Sequence, residues 1–142
     1  MHKTPRSPAP PMTEQELYRT IVEERRAAAH YDRLLKMHPC TESAAMLTAM
    51  RDEEWAHAEK LLALYRKLFR RDPVLPAVSL PAVADLAEGL ALAVPDEWDI
   101  YTQYRDWYLA SVTPALRDLF FELMTDENKH AGKLNVLSAN ET

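Results

Sequence analysis

Carboxylate and imidazole side chains recur in this chain in two copies that are 73 positions apart. Each copy has a glutamate, a tyrosine seven residues later, and then a Glu-x-x-His segment. The residues are Glu24, Tyr31, Glu54 and His57 in the first copy, and Glu97, Tyr104, Glu127 and His130 in the second. Residues three apart on a helix lie on one face, so each Glu-x-x-His pair can bind one metal ion. The pattern therefore predicts a dinuclear metal site.

These polar residues fall on the apolar stripes of their predicted helices. The stripe of the second helix, for example, runs through Leu47, Met50, Glu54, His57 and Leu61. Four unpaired glutamates in a low-dielectric core would cost many kcal/mol, and no basic residue occupies a nearby stripe position. Two divalent cations would balance the four carboxylates while both histidines stay neutral. Oxygen and imidazole donors suit iron or manganese, zinc can substitute, and a thiolate zinc site is excluded.

Four helices must position these residues. Residues 13–16 form a capping-box sequence that predicts the start of the first helix, and Pro39 ends that helix. Thr41 is expected to cap the second helix. The apolar stripe of that helix ends near Arg70. Thr113, followed by proline, is a strong start for the fourth helix.

The third helix is the least regular of the four. Residues 72–80 contain two prolines and predict an extended crossover that can reach roughly 30 Å. We expect the third helix to begin near Pro81 with Ser79 as its cap. Pro95 should kink or restart this helix, which would leave Glu97 in a fresh first turn.

The two halves also match outside the polar positions, for example Leu47 with Phe120 and Met50 with Leu123. This indicates a duplicated helical hairpin. The halves differ where Ala28 in one corresponds to Tyr101 in the other. We therefore predict an all-α four-helix bundle over residues 13–140, made of two duplicated hairpins joined by a long crossover. Residues 1–12 are expected to form a flexible tail.

Composition limits the function classes. The net charge of −5 argues against nucleic-acid binding, and no apolar run approaches the ~20 residues of a membrane span. The first twelve residues hold four prolines and no apolar segment, unlike a signal peptide, so a cytoplasmic location is expected. Cys40 is the single cysteine, which excludes an internal disulfide.

Other notable side chains receive simpler interpretations. His2, His30 and His38 fit no cluster and are expected at the surface. Trp98 and Trp107 either cover the core or form a dimer contact, and we favour the dimer contact.

The arrangement resembles the ferritin-like di-iron carboxylate proteins, in which two helices each give a Glu and the other two each give a Glu-x-x-His. Rubrerythrin-like ferritin domains are the most similar, and the resemblance covers about residues 14–137. It implies that the metal ligands are Glu24, Glu54, His57, Glu97, Glu127 and His130. Glu54 and Glu127 would bridge the ions, and the other two glutamates would be terminal.

The resemblance also implies roles for four neighbouring residues. Tyr31 and Tyr104 would hydrogen-bond ligand carboxylates. Glu53 and Asp126, each just before a Glu-x-x-His segment, would accept hydrogen bonds from ligand imidazoles.

By resemblance, the leading functional hypothesis is a non-haem di-iron oxidoreductase that acts as a ferroxidase or reduces peroxide. Its partners would be dioxygen or hydrogen peroxide, a second copy in a homodimer, and an external electron donor, because one cysteine cannot build a rubredoxin-type iron site. The alternatives are a non-catalytic iron-binding, storage or delivery protein, a manganese enzyme on the same site, and a structural module that lost reactivity.

Overall fold

The computed structural model describes residues 9–142. These residues form four helices and no strand: α1 (Glu14–Leu35), α2 (Thr41–Phe69), α3 (Leu86–Ala110) and α4 (Pro114–Asn140). Helix α1 pairs with α2 and α3 pairs with α4, while α1 also contacts α3 and α2 contacts α4. The predicted all-α bundle of two hairpins is confirmed. Within the described part of the chain, no helix is long and apolar enough to cross a membrane.

The start of α1 follows its capping box. The Thr13 hydroxyl accepts from the Glu16 backbone N–H at 3.1 Å, and the Glu16 carboxylate accepts from the Thr13 N–H at 3.1 Å. Residues 1–8 of the expected tail lie outside the described residues, as does His2. Met12 is only 5% exposed and packs into the core, so the ordered bundle includes it.

Helices α2 and α4 begin close to the predicted positions. Thr41 is the first residue of α2 rather than its cap; the cap is Cys40, whose backbone N–H donates to Glu141 at 2.8 Å. Thr113 and a proline at the first helical position start α4 as expected. Helix α2 ends before Arg70, which adopts a left-handed backbone conformation.

The predicted start of α3 near Pro81 is wrong. The cap is Asp85, whose carboxylate accepts from the Glu88 N–H at 2.8 Å, while Glu88 accepts from the Ala84 N–H at 2.8 Å. This reciprocal pair satisfies two free backbone donors, which Ser79 beside a proline-rich segment does not achieve.

Pro95 does not restart α3, which is one continuous helix from Leu86 to Ala110. A proline removes one backbone donor, and here the affected acceptor is the carbonyl of Ala91, four residues earlier. Both Pro95 and Ala91 are exposed, so water can satisfy that carbonyl. The helix therefore continues, and Glu97 remains on its buried face.

The crossover between the hairpins runs along α1. Three α1 side chains donate to its backbone carbonyls: Tyr18 to Val74 at 2.9 Å, Arg25 to Pro76 at 3.4 Å and Arg33 to Pro81 at 2.6 Å. The order of these contacts follows α1 from its first turns to its last. The segment thus returns the chain to the end of the bundle where α3 begins.

Two apolar clusters fill the bundle, one toward each end. The first is rich in aromatic residues and includes Tyr104, Trp107 and Phe120, whereas the second is mostly aliphatic and includes Leu34 and Leu134. Trp107 is 1% exposed, so it covers the core and the favoured dimer-contact role is wrong for it; Trp98 is 45% exposed. The polar residues lie between the two clusters.

Candidate metal centre

All six predicted ligands lie in the middle of the bundle, and none is more than 1% exposed. Helices α1 and α3 each contribute one glutamate, while α2 and α4 each contribute a Glu-x-x-His pair. The residues are Glu24, Glu54, His57, Glu97, Glu127 and His130. Their heptad-like spacing turns them inward together with the apolar residues of each stripe.

The donor atoms form two overlapping groups. One consists of Glu24, Glu54, His57 and Glu127, and the other consists of Glu54, Glu97, Glu127 and His130. Within each group the donor atoms lie within 4.8 Å of one another. Metal–ligand bonds of about 2.1 Å place opposite ligands of one ion about 4.2 Å apart. The donor atoms of each group would therefore need to move only slightly closer together to bind an ion. Glu54 and Glu127 belong to both groups, as bridging carboxylates must.

The orientation of His57 is defined by a carboxylate from the opposite hairpin. Its Nε2 lies 2.9 Å from Asp126 and donates a hydrogen bond to that carboxylate. Its Nδ1 then faces Glu127 at 2.8 Å, Glu24 at 2.9 Å and Glu54 at 3.4 Å. One ring nitrogen cannot donate well to three carboxylates, whereas a cation among them would attract all four groups.

His130 has the matching arrangement. Its Nε2 donates to Glu53, and its Nδ1 lies 2.9 Å from Glu54 and 3.6 Å from Glu97. Despite these short separations, Nδ1 has no partner in hydrogen-bond geometry among the described residues. Glu53 and Asp126 thus fix both imidazoles with Nδ1 toward the glutamates, which is how outer carboxylates orient metal-binding histidines.

The charges of the cluster strongly perturb the pKa values of its members. Burial raises the pKa of Glu97 to about 8, and repulsion from neighbouring glutamates adds to it. The same two causes hold the pKa of Glu24 well above its usual value. For His57 and His130, burial disfavours the imidazolium, yet the close surrounding carboxylates outweigh burial and raise both pKa values.

The donor set fits two divalent cations. Several buried oxygens lack a hydrogen-bond partner: Glu24 Oε1, both Glu54 oxygens, Glu97 Oε2 and Glu127 Oε2. Within residues 9–142, the ion-pair partners of these four glutamates are the two histidines alone. Buried carboxylates without lysine or arginine require protons or metal ions, and two divalent ions would neutralise all four.

The two tyrosines differ in their contacts. The Tyr31 hydroxyl donates to Glu97 Oε1. The Tyr104 hydroxyl, its counterpart 73 positions later, makes no hydrogen bond to the described residues, and neither does Glu24 Oε1. Burial raises the pKa of both phenols, so each remains a protonated donor. The expected bond from Tyr104 to a ligand carboxylate is therefore absent, and its ring instead lies edge-on to His57, with the ring centroids 6.4 Å apart.

Two pockets lie between α1 and α3, one on each side of the pseudo-two-fold axis. The Glu97 pocket has a volume of about 30 Å³ and reaches the metal centre, since Tyr31 and Glu97 line it. Two alanines, Ala27 and Ala93, form part of its wall. The rest of its lining comes from Glu23, Arg26, His30, Leu80, Pro81, Leu92 and Asp96.

The second pocket, here called the Glu24-side groove, has the equivalent residues. Its lining consists of Arg19, Thr20, Glu23, Asp96, Asp99, Ile100 and Gln103. Each of these is the counterpart, 73 positions away, of a residue in the Glu97 pocket. Ile100 stands in the place of Ala27, and Thr20 in the place of Ala93. The groove does not include Glu24 or Tyr104, so it stops short of the metal centre.

His30 corrects one sequence prediction, because it is 8% exposed rather than a surface residue. Arg33 donates to its Nδ1 at 2.7 Å, so the ring proton lies on Nε2, which donates to the Gly89 carbonyl at 2.7 Å. Burial lowers its pKa, and the ring is neutral. Gly89 also lets the Leu34 side chain approach closely, since a Cβ atom at position 89 would overlap it. His38 is exposed, as expected.

Sequence reasoning missed the residues that form the Glu97 pocket. Ala27 and Ala93 carry no reactive group. Within the sequence of a single helix, nothing distinguishes them from other residues beside the apolar stripe. The signal that could have found them was the difference between Ala27 and Ile100 at the duplicated spacing.

Comparison with known proteins is consistent with this geometry. The family model described as Rubrerythrin matches residues 16–138. Among solved structures, a conserved hypothetical protein, rv2844, from Mycobacterium tuberculosis has a similar fold, with a TM-score of 0.75 and 16% sequence identity over 87% of this chain and 94% of that chain. No curated protein sequence matches significantly.

Proposed function

Because this chain belongs to the rubrerythrin family, we propose that it binds two iron ions and uses them to reduce hydrogen peroxide or dioxygen. The observation that carries the proposal is the pair of overlapping donor groups that share Glu54 and Glu127. Iron fits the mixed carboxylate and imidazole donors, which manganese would also accept. Two ferrous ions would supply two electrons, the number needed to reduce peroxide to water.

The protein residues hold and orient the reacting groups. The carboxylates of Asp126 and Glu53 accept hydrogen bonds from Nε2 of the two histidines, so that each Nδ1 would offer its lone pair to an ion that displaces the Nδ1 proton. Tyr31 holds one oxygen of Glu97 and leaves Oε2 free. Within residues 9–142, Glu54 and Glu127 form ion pairs only with the two histidines, which would leave them able to change their binding mode.

The apolar clusters above and below the centre exclude bulk water. With one cysteine in the sequence, the electrons that return the iron to its ferrous state would come from an external donor. The same ligands would serve ferroxidase activity, in which Fe(II) itself is the electron source. A homodimer remains part of the proposal, with the exposed Trp98 as its candidate contact.

The first test is the metal content of untagged protein after anaerobic Fe(II) loading. We expect about two irons per chain, and an absorbance change when peroxide or oxygen is added to the loaded protein. Iron that binds without being oxidised would instead support storage or delivery. Failure to bind more than a small fraction of an equivalent of iron or manganese would overturn the dinuclear assignment.

A further inference from the structure

The two pockets between α1 and α3 suggest how a small oxidant enters the centre. The pseudo-two-fold axis that relates the hairpins also relates these pockets, so a symmetric molecule would have two equivalent entrances. One entrance reaches the metal centre and the other does not. The difference lies in wall residues rather than in the ligands.

Two residues in the wall of the Glu97 pocket have short side chains. Ala27 of α1 and Ala93 of α3 leave space between the helices, and Glu97 stands at the inner end. Glu97 is 1% exposed, and its Oε2 has no hydrogen-bond partner among the described residues. A ligand that enters this pocket would therefore reach a residue of the candidate metal centre.

On the Glu24 side, Ile100 takes the position of Ala27 and lines a groove of about 280 Å³ whose lining does not include Glu24. Its side chain is 5% exposed and belongs to the aromatic-rich cluster, in contact with residues of the core. Thr20, also 5% exposed, donates its hydroxyl proton to the Glu16 carbonyl at 3.0 Å, so this proton is not available to a ligand. The entrance is closed by packing.

The volume of the Glu97 pocket selects the kind of molecule that can use it. At about 30 Å³ the pocket has room for roughly two water molecules, since one needs about 10–15 Å³. This suits a molecule of two oxygen atoms. A divalent ion with its shell of roughly six waters would not fit.

We propose that a small uncharged two-oxygen oxidant reaches the metal centre through the Glu97 pocket between Ala27 and Ala93, and that Ile100 closes the equivalent route on the Glu24 side. The proposal rests on the proposed function, since it requires metal at the centre. According to this proposal, Ala27 and Ile100 control access to the metal centre through the size of their side chains, since neither carries a reactive group.

The test uses nitric oxide as an uncharged diatomic probe of the Fe(II)-loaded protein. In the Ala27→Ile variant the pocket wall matches that of the closed side. We expect the rate of nitric oxide association, followed by stopped-flow absorbance, to fall by about tenfold, within the range over which association rates vary among variants of one site. Ala29→Ile, on the same helix but outside the pocket, is the matched control and should change the rate less than about twofold.

Two further measurements separate access from structural damage. Iron content per chain and the absorption spectrum of the Co(II)-loaded protein should be the same in both variants. Adding Ile100→Ala to Ala27→Ile should restore most of the lost rate by opening the second route; if this double variant does not fold, the comparison of Ala27→Ile with Ala29→Ile decides.

An unchanged association rate in Ala27→Ile, with full iron content, would overturn the entry route and leave the proposed function standing. Wild-type protein that takes up no iron would overturn the proposed function, and the entry route with it.

Discussion

The Glu97 side and the Glu24 side of the metal centre have the same ligand types in the same order, yet their surroundings differ. On the Glu97 side, a tyrosine donates to the terminal glutamate and a pocket reaches it. On the Glu24 side, the corresponding Tyr104 has no hydrogen-bond partner among the described residues, and Ile100 takes the position of Ala27. The two halves therefore share the candidate ligands and differ in the residues around them.

The comparison shows which properties belong to the centre and which belong to one side. Effects that depend on the shared glutamates, on the total charge of the centre or on its burial should be the same on both sides. Properties that depend on the tyrosines or on the pocket walls should not. Variants can therefore be chosen in pairs, one from each hairpin.

The largest effect is expected from removing a residue that serves both sides. Glu127 belongs to both donor groups, so Glu127→Ala should abolish binding of the metal pair. Glu24→Ala and Glu97→Ala each affect one group and should retain about one ion per chain. Elemental analysis after anaerobic Fe(II) loading measures this. The exposed His38→Ala is the control, and equal metal content in Glu127→Ala and His38→Ala would refute the assignment.

Metal binding should also stabilise the bundle, because only the folded chain assembles all six donors. At free Fe(II) one hundred times the dissociation constant, each site contributes about 2.7 kcal/mol to the free energy of unfolding. Anaerobic thermal unfolding with and without Fe(II) tests this. Glu24→Ala and Glu97→Ala should each lose about half of the stabilisation, whereas no rise in the wild-type melting temperature would argue against both sites.

Stability of the metal-stripped protein should fall as pH rises. The pKa of Glu97 is raised from 4.5 to about 8 on folding, so its favourable contribution is complete below pH 4.5 and is lost as pH approaches 8. The raised pKa values of Glu24, His57 and His130 act in the same direction.

Urea unfolding of chelator-treated protein between pH 5 and about 8 measures this slope. Glutamine resembles a protonated carboxyl group, so Glu97→Gln and Glu24→Gln should each reduce the dependence of stability on pH. Both variants should do so, because the glutamate pKa is raised on both sides. A free energy of unfolding that rises with pH in the wild type would show that the glutamates are already ionised and compensated.

The smallest expected effect is the difference in unfolding free energy between two variants that each replace a buried tyrosine with phenylalanine. Tyr31→Phe leaves a buried Glu97 oxygen without its donor, which typically costs about 1–3 kcal/mol. Tyr104→Phe removes a hydroxyl that has no partner within residues 9–142 and should be nearly neutral. Urea unfolding of the metal-stripped variants gives the comparison. Equal losses would mean that Tyr104 also donates to a ligand carboxylate in solution.

Sequence reasoning could find the ligands because buried charge is rare and the duplication repeats it. Glu54 and His57 three residues apart are weak evidence alone, but the second copy at Glu127 and His130 leaves little room for chance. The helix starts at residues 13–16 and at Thr113 were equally predictable, since capping depends on local hydrogen bonds.

The parts that sequence reasoning missed depend on contacts between helices. Pro95 was expected to disrupt α3, and only the structure shows that the proline and its affected carbonyl both face solvent. The burial of His30 depends on Arg33 and on the Gly89 carbonyl of another helix. The start of α3 was predictable in principle, because Asp85 and Glu88 form a capping pair, but the expected start lay near Pro81, with Ser79 as the cap.

Each donor group takes three residues from one hairpin and a single bridging glutamate from the other. In terms of symmetry, this reciprocal exchange is an isologous interface, in which each partner gives the other the same contact that it receives. Two copies of the first hairpin, related by a two-fold axis, would present the same six donors. The single chain is therefore equivalent to a homodimer whose two subunits have been joined by residues 70–85, and that joining is what allows its two faces to differ.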